Sequence, residues 1–348
     1  METRIERIDE NQIEESIIEE AGEVLKTGGL VAFPTETVYG LGANALNEEA
    51  AKKTYEAKGR PSDNPLIVHI AEADALGAIA IDVSDKARQV MKNFWPGPLT
   101  LIFNKSNLVP LETTGGLSTV AVRMPSHPIA LEMIRHGGGY IAAPSANTSG
   151  RPSPTLAEHV ADDMDGIIPM ILDGGAVGIG IESTIVDLTE GVPTILRPGF
   201  ITKEMLEEVV GEVQIDKGLS VDAKVAPKAP GMKYRHYAPK AELIIVEGAK
   251  EAVVEKINAM AKDNESKGIS TGVIGTEETI SLYETGIVKC IGSRSDELSI
   301  SSHLYGILRE FDESDAKIIY SESFEDGAMG SAIMNRLLKA AGHKIIKL

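Results

Sequence analysis

The chain has 348 residues, 43% hydrophobic and 25% charged, with a net charge of −18 and a single cysteine. That length exceeds what one core usually organises, so two domains are expected, and the acidic balance excludes a protein that grips nucleic acid through a general basic surface. One cysteine, no Cys/His set with zinc spacing, no signal-like N-terminal run and no apolar stretch near the roughly 18 residues of a membrane span lead to a cytoplasmic expectation.

Ile13, Ile17, Ile18, Ala21, Val24 and Leu25 lie on one helical face that Gly28-Gly29 ends. Leu30 to Phe33 reads as a buried strand. It runs into Pro34-Thr35-Glu36-Thr37-Val38-Tyr39-Gly40-Leu41-Gly42, which puts hydroxyls, a carboxylate and glycines at a strand end, where open α/β sheets hold ligands. A helix is predicted over 47–58, capped by Asn47 and stopped by Gly59 and Pro61. Lys58 and Arg60 fall at its exit, ahead of a polar turn and an apolar strand from Leu66 to Ile70. Two cations held between rigid elements suit an anionic substrate.

Ser84 to Phe94 is a second amphipathic helix, stopped by Trp95-Pro96-Gly97-Pro98, and Leu99 to Phe103 is a strand. Residues 118–125 alternate like another, with Thr119, Ala121 and Arg123 on one face. Pro128 to His136 is helical. After Tyr140, an apolar strand gives way to Ala143-Pro144-Ser145-Ala146-Asn147-Thr148-Ser149-Gly150-Arg151-Pro152-Ser153, small enough for backbone N–H groups to approach a phosphate. A strand over Ile167 to Leu172 is followed by Asp173-Gly174-Gly175 and then Ile181-Glu182-Ser183-Thr184-Ile185-Val186-Asp187, and a strand over Thr194 to Leu196 delivers Arg197-Pro198-Gly199. Residues 1–205 hold 16 Lys and Arg against 29 Asp and Glu, so Lys58, Arg60, Arg123, Arg151 and Arg197 on loops and strand ends stand out as placed.

Residues 206–240 read as a linker, rich in Pro, Ala and Lys towards their end. Met232-Lys233-Tyr234-Arg235-His236-Tyr237 crowds aromatic and basic side chains between prolines, which suits either a lid over a nucleotide or a segment docked on a domain surface. Strand-helix alternation over 241–348 predicts a smaller Rossmann-like α/β domain with no glycine-rich nucleotide loop. Its Ser293-Arg294-Ser295 and Asn335-Arg336 are expected on loop and helix surface.

In order, Thr35-Glu36-Thr37-Val38-Tyr39-Gly40-Leu41, Lys58-Gly59-Arg60-Pro61, Phe94-Trp95-Pro96-Gly97-Pro98-Leu99-Thr100, Ala121-Val122-Arg123, Pro144-Ser145-Ala146-Asn147-Thr148-Ser149-Gly150, Ser183-Thr184-Ile185-Val186-Asp187 and Arg197-Pro198-Gly199 resemble the YrdC-domain family of threonylcarbamoyl-AMP synthases. The resemblance covers residues 1–205, and the linker and second domain resemble the long, two-domain members. It implies a twisted mixed α/β sheet and the synthesis of threonylcarbamoyl-AMP and pyrophosphate from L-threonine, bicarbonate and ATP. A separate transferase complex would then act on the adenosine beside the anticodon of certain tRNAs.

Position by position, the resemblance implies that Thr35, His69, Arg123 and Ser183 hold L-threonine, with Arg123 on its carboxylate. Lys58, Ser62, Thr119, Ala143, Ser145, Asn147, Ser153 and Arg197 would bind ATP, and Tyr234, His236 and Tyr237 would close over it. Lys58 and Arg60 are the expected catalytic residues, offsetting charge as two anions meet. No nucleophile elbow, Walker loop or metal-ligand set appears in these residues, so magnesium is expected mainly on the phosphates. Lys58→Ala is expected to lose adenylate formation while folding normally. Two alternatives stay open at this stage: a non-enzymatic module with weak RNA binding on a local groove, and the same adenylate chemistry on another acceptor.

Overall fold

In the computed structural model, residues 2–216, 236–324 and 327–348 are described, and they divide into two units. The first takes in 2–149, 153–178 and 182–216; the second takes in 236–348 together with the short pieces 150–152 and 179–181.

Short apolar runs of the first unit pair into a mixed sheet of twelve strands. From edge to edge these are Arg4–Arg7, Met170–Asp173, Val31–Phe33, Gly40–Asn44, Ile141–Ala142, Ile67–His69, Thr119–Arg123, Leu99–Lys105, Thr184–Asp187, Thr194–Arg197 and Gln214–Ile215, with Ala80–Ile81 paired to Leu99–Lys105. Gly40 to Gly42, the end of the expected loop, begins the central strand Gly40–Asn44, buried up to Ala43. Glycine is a poor strand former, but here it is required for packing: a Cβ on Gly42 would stand 3.1 Å from both Val31 O and the Ile141 side chain. Residues at the start of the expected linker are also ordered here, as the helix Lys203–Val210 and the edge strand Gln214–Ile215.

Register decides what each face of the central strands carries. Ile67 pairs with Ala121 and His69 with Arg123; Thr100 also pairs with Arg123, and Ile102 with Ala121. Ile185 sits opposite Thr100 on the next strand. One face therefore turns Val68, Val120, Val122, Leu99, Leu101, Phe103 and Val186 into a large core closed by helices. The other carries a small apolar floor of Ile67, Ile102, Ala121, Ile185 and Leu196, with His69, Thr100, Thr119, Arg123 and Ser183 alternating along the same side.

The helix Glu48–Lys58 delivers Lys58. Asn47 caps it, accepting the N–H groups of Glu49 and Ala50, and Gly59 ends it in a left-handed conformation at φ 59°. A side chain there would cost about 1 kcal/mol in that conformation.

The second unit is a five-stranded, wholly parallel sheet in the order Ile287–Cys290, Thr271–Gly275, Ile318–Glu322, Glu242–Glu247, Ile345–Lys347. Numbered along the unit, the order is 3-2-4-1-5. The expectation of a surface position does not hold for Arg336, whereas Arg294, on a loop, keeps 32% of its side chain exposed. Arg336 lies on the same helical face as Ile333, Leu337 and Ala340 and is fully buried with them. Arg294 reaches the carboxylate of Glu322, itself buried at a strand end. No helix among the described residues is long and apolar enough to cross a membrane.

Candidate active site

Arg123 ends its strand with 4% of its surface exposed. Its Nη1 donates to Thr37 Oγ1 at 2.9 Å, and Thr37 Oγ1 lies 2.9 Å from Thr35 Oγ1. The Thr35 hydroxyl donates to Val38 O at 2.7 Å, so the proton between the two threonines belongs to Thr37. Thr35 also accepts the N–H groups of Thr37 and Val38, at 3.2 Å each. It is thus spent on shaping its own loop, while Thr37, which sequence reading passed over, holds the arginine.

The other edge of the Arg123 guanidinium is not satisfied in this way. Nη2 lies 2.8 Å from Glu36 Oε1, but neither this contact nor any other gives Nε, Nη2 or Glu36 Oε1 a hydrogen bond of good direction, although all three atoms are buried. Nε and Nη2 form the side-on fork of a guanidinium, the geometry that takes a carboxylate in two parallel hydrogen bonds.

His69, on the neighbouring strand, is buried. Desolvation, and then the positive charge of Arg123, push its pKa down to about 3, so the ring is neutral at physiological pH. Nδ1 lies 3.1 Å from Ile67 O and, facing a carbonyl, carries the proton. On the other side of Arg123, the hydroxyls of Thr100 and Ser183 are 2.8 Å apart. A register shift between Ile185 and Val186 accompanies the pairing of Arg197 with Ile185; Arg197 Nε then donates to Ser183 O at 3.0 Å and Nη2 to Ser183 Oγ at 3.2 Å. The Thr100–Ser183 hydroxyl pair thus lies between the strands of Arg123 and Arg197, bonded to Arg197.

Thr119 starts the Arg123 strand, about 13 Å from it at the rise of a β-strand. Towards this end of the face, Ala143 donates its N–H to Ile67 O, and Ser145 bridges to Gly40. Lys58 is buried, with Nζ donating to the carbonyls of Ser145 and Asn147 and lying 3.5 Å from Asn147 Oδ1. The expectation that Lys58→Ala folds normally therefore needs correction, because the substitution strips a shared donor from two carbonyls of a tight loop. Ser153 is buried and donates to Glu182 Oε1 at 2.6 Å, a carboxylate partner not anticipated.

Arg60 holds its own turn, donating to Asn64 O and Pro65 O, and Ser62 is exposed on that turn. Arg151 belongs to the second unit, where it stands 3.8 Å from Asp312. Tyr237 is likewise in the second unit, buried, with its ring 5.0 Å from Tyr305 and 5.5 Å from His236. Tyr234 lies outside the described residues.

A family model described as telomere recombination matches residues 23–199, and one described as the C-terminal domain of threonylcarbamoyl-AMP synthase matches 201–342. The chain is 51% identical to the threonylcarbamoyl-AMP synthase of Bacillus subtilis over 340 residues, covering 97% of each chain. The chain belongs to the threonylcarbamoyl-AMP synthase family. Family members of this two-domain form are enzymes of the nucleotidyltransferase type. The Pyrococcus abyssi threonylcarbamoyl-AMP synthase is 49% identical over 337 residues, again 97% of both chains. The solved structure of P. abyssi Sua5 complexed with L-threonine superposes with a TM-score of 0.94 at 48% identity, over 99% of this chain and 100% of that one. The non-enzymatic alternative gives way to this membership, and the expected pairing of a mixed sheet with a separate parallel sheet stands.

Proposed function

We propose that the polar face of the first unit binds L-threonine at its Arg123 end and ATP at its Thr119 and Ser145 end, and makes threonylcarbamoyl-AMP. The observation that carries this reading is the buried side-on fork of Arg123, which lacks well-directed hydrogen bonds and is flanked by neutral His69 and the Thr100–Ser183 hydroxyl pair. The complex of the P. abyssi relative with L-threonine supports it.

The amine of threonine condenses with bicarbonate to an N-carboxylate, releasing water. A carboxylate oxygen then forms a bond to the α-phosphorus as the bond to pyrophosphate breaks. Both partners are anionic, and two unit charges at 4 Å repel by about 4 kcal/mol at an effective dielectric of 20. Arg123 on the threonine side, Arg197 beside Ser183 and Lys58 beside the Ser145–Asn147 loop set positive charge against that repulsion. A neutral His69 adds a polar contact without a further charge. Thr119, Ala143, Ser145, Asn147 and Ser153 supply backbone groups and hydroxyls for the nucleotide, with Arg60 and Ser62 on the adjoining turn.

Magnesium belongs to this reading as the counter-ion of ATP, carried mainly on the phosphates. The product feeds a transferase complex that modifies tRNA in the cytoplasm.

The test is to incubate the protein with ATP, magnesium, bicarbonate and each amino acid in turn, following pyrophosphate and an AMP conjugate by mass. Pyrophosphate released with threonine and with few other amino acids is expected. Equal turnover with amino acids lacking the hydroxyl, or none with threonine, would reject the assignment.

A further inference from the structure

The contact between Glu36 and Arg123 is incomplete in a way that points beyond a structural ion pair. Both side chains are largely removed from water, at 5% exposure for Arg123 and 15% for Glu36, yet the 2.8 Å contact leaves Glu36 Oε1, Arg123 Nη2 and Arg123 Nε without directed hydrogen bonds. Glu36 Oε2 is held by one long bond, from Ser126 N at 3.3 Å. A buried ion pair is favourable only when its remaining donors and acceptors are satisfied. Here three are left over, two donors and one acceptor, next to each other.

An α-amino acid is complementary to that set. Its carboxylate fits the Nε and Nη2 fork of Arg123, and its ammonium, one carbon away, then lies beside the Nη2 edge where Glu36 Oε1 is found. We infer that Glu36 is the amine-recognition residue of the substrate site, selecting α-amino acids over otherwise identical hydroxy acids. Glu36 gives up its oblique contact with Nη2 and accepts hydrogen bonds from the ammonium, so ligand binding satisfies all three atoms at once. Its position between Thr35 and Thr37, whose hydroxyls set the loop and the arginine, holds the carboxylate at this place. The inference rests on the assignment of Arg123 to the threonine carboxylate.

The test compares threonine with 3-hydroxybutyrate, the same molecule without its amine, by calorimetry or competition in the full-length protein and in Glu36→Gln. Wild type should prefer threonine. In Glu36→Gln, threonine affinity should fall at least about tenfold while that for 3-hydroxybutyrate is unchanged, so that the preference collapses, because a hydrogen bond to a charged group is worth that much. Should Glu36→Gln unfold, Glu36→Asp serves, with an intermediate loss for threonine alone. Equal losses for both ligands would make Glu36 merely a support for Arg123 and overturn the inference. Tighter threonine binding would also overturn it, showing that Glu36 competes for the arginine. Failure of wild type to bind threonine at all would instead reject the substrate assignment beneath it.

Discussion

At the scale of the residue, the chemistry turns on the difference between charge and shape. Arg123 is held from one edge by Thr37, and its side-on fork, without directed hydrogen bonds, has a geometry that an ammonium cannot reproduce. Arg123→Lys should therefore weaken threonine binding at least about tenfold although the charge is retained, as calorimetric titration would show. His69 supplies a second residue-scale prediction. Its ring titrates near 6.5 in the unfolded chain and near about 3 when folded, so between these values the unfolded chain binds more protons. The stability contributed by the neutral ring is present above pH 6.5 and is lost as pH falls towards 3. Denaturant melts of wild type should show stability declining through that window, and His69→Gln should decline less steeply. Arg123 itself was legible in the sequence, since alternation put it on one face with Thr119; its partner Thr37 was not. Nothing in a threonine's neighbours along the chain tells whether its hydroxyl closes a local turn or meets an arginine 86 positions away.

Elements place these residues by backbone contacts that tolerate no added atoms. The Arg197-Pro198-Gly199 corner is an example. A Cβ on Gly199 would stand 2.5 Å from Thr184 N and 2.9 Å from Glu182 O, so the corner can lie against the Ser183 turn only without a side chain. Gly199→Ala should cost about 1–3 kcal/mol in denaturant melts and, by moving Arg197 off Ser183, weaken ATP-dependent product formation. Helices were readable because their signals are local: Asn47 caps as expected, the second amphipathic helix starts at its expected place with Ser84 as cap, and Pro128–His136 runs between the expected bounds. The strands of two glycines, Gly40–Asn44, and of alternating charge, Arg4–Arg7, were not. Their pairing energy comes from neighbours far along the chain, so composition argues against them until those neighbours are known.

Over the whole molecule, the two units keep separate hydrophobic clusters, one group around the mixed sheet and another around Val246, Ile257, Val273 and Tyr320 in the second. Scanning calorimetry should resolve two transitions. Threonine at a hundred times its dissociation constant should raise the stability of the first unit by about 2.7 kcal/mol and leave the second transition in place. A single transition that moves as one would mean that the cores unfold together.

By itself the amino-acid sequence determined that this is an acidic, two-part α/β chain with hydroxyls and cations after its strands, and its ordered motifs pointed to the family. Those properties depend on spacing and composition, which survive without knowledge of pairing. Only the tertiary structure decided that Lys58 is buried against loop carbonyls, that Arg151 belongs with the second unit, that Arg336 lies inside, and that Glu36 faces Arg123 with three atoms unmatched. The physical reason is that a charged side chain's burial and partners are set by strand register and by segments distant in sequence, and neither leaves a local mark on the residue itself.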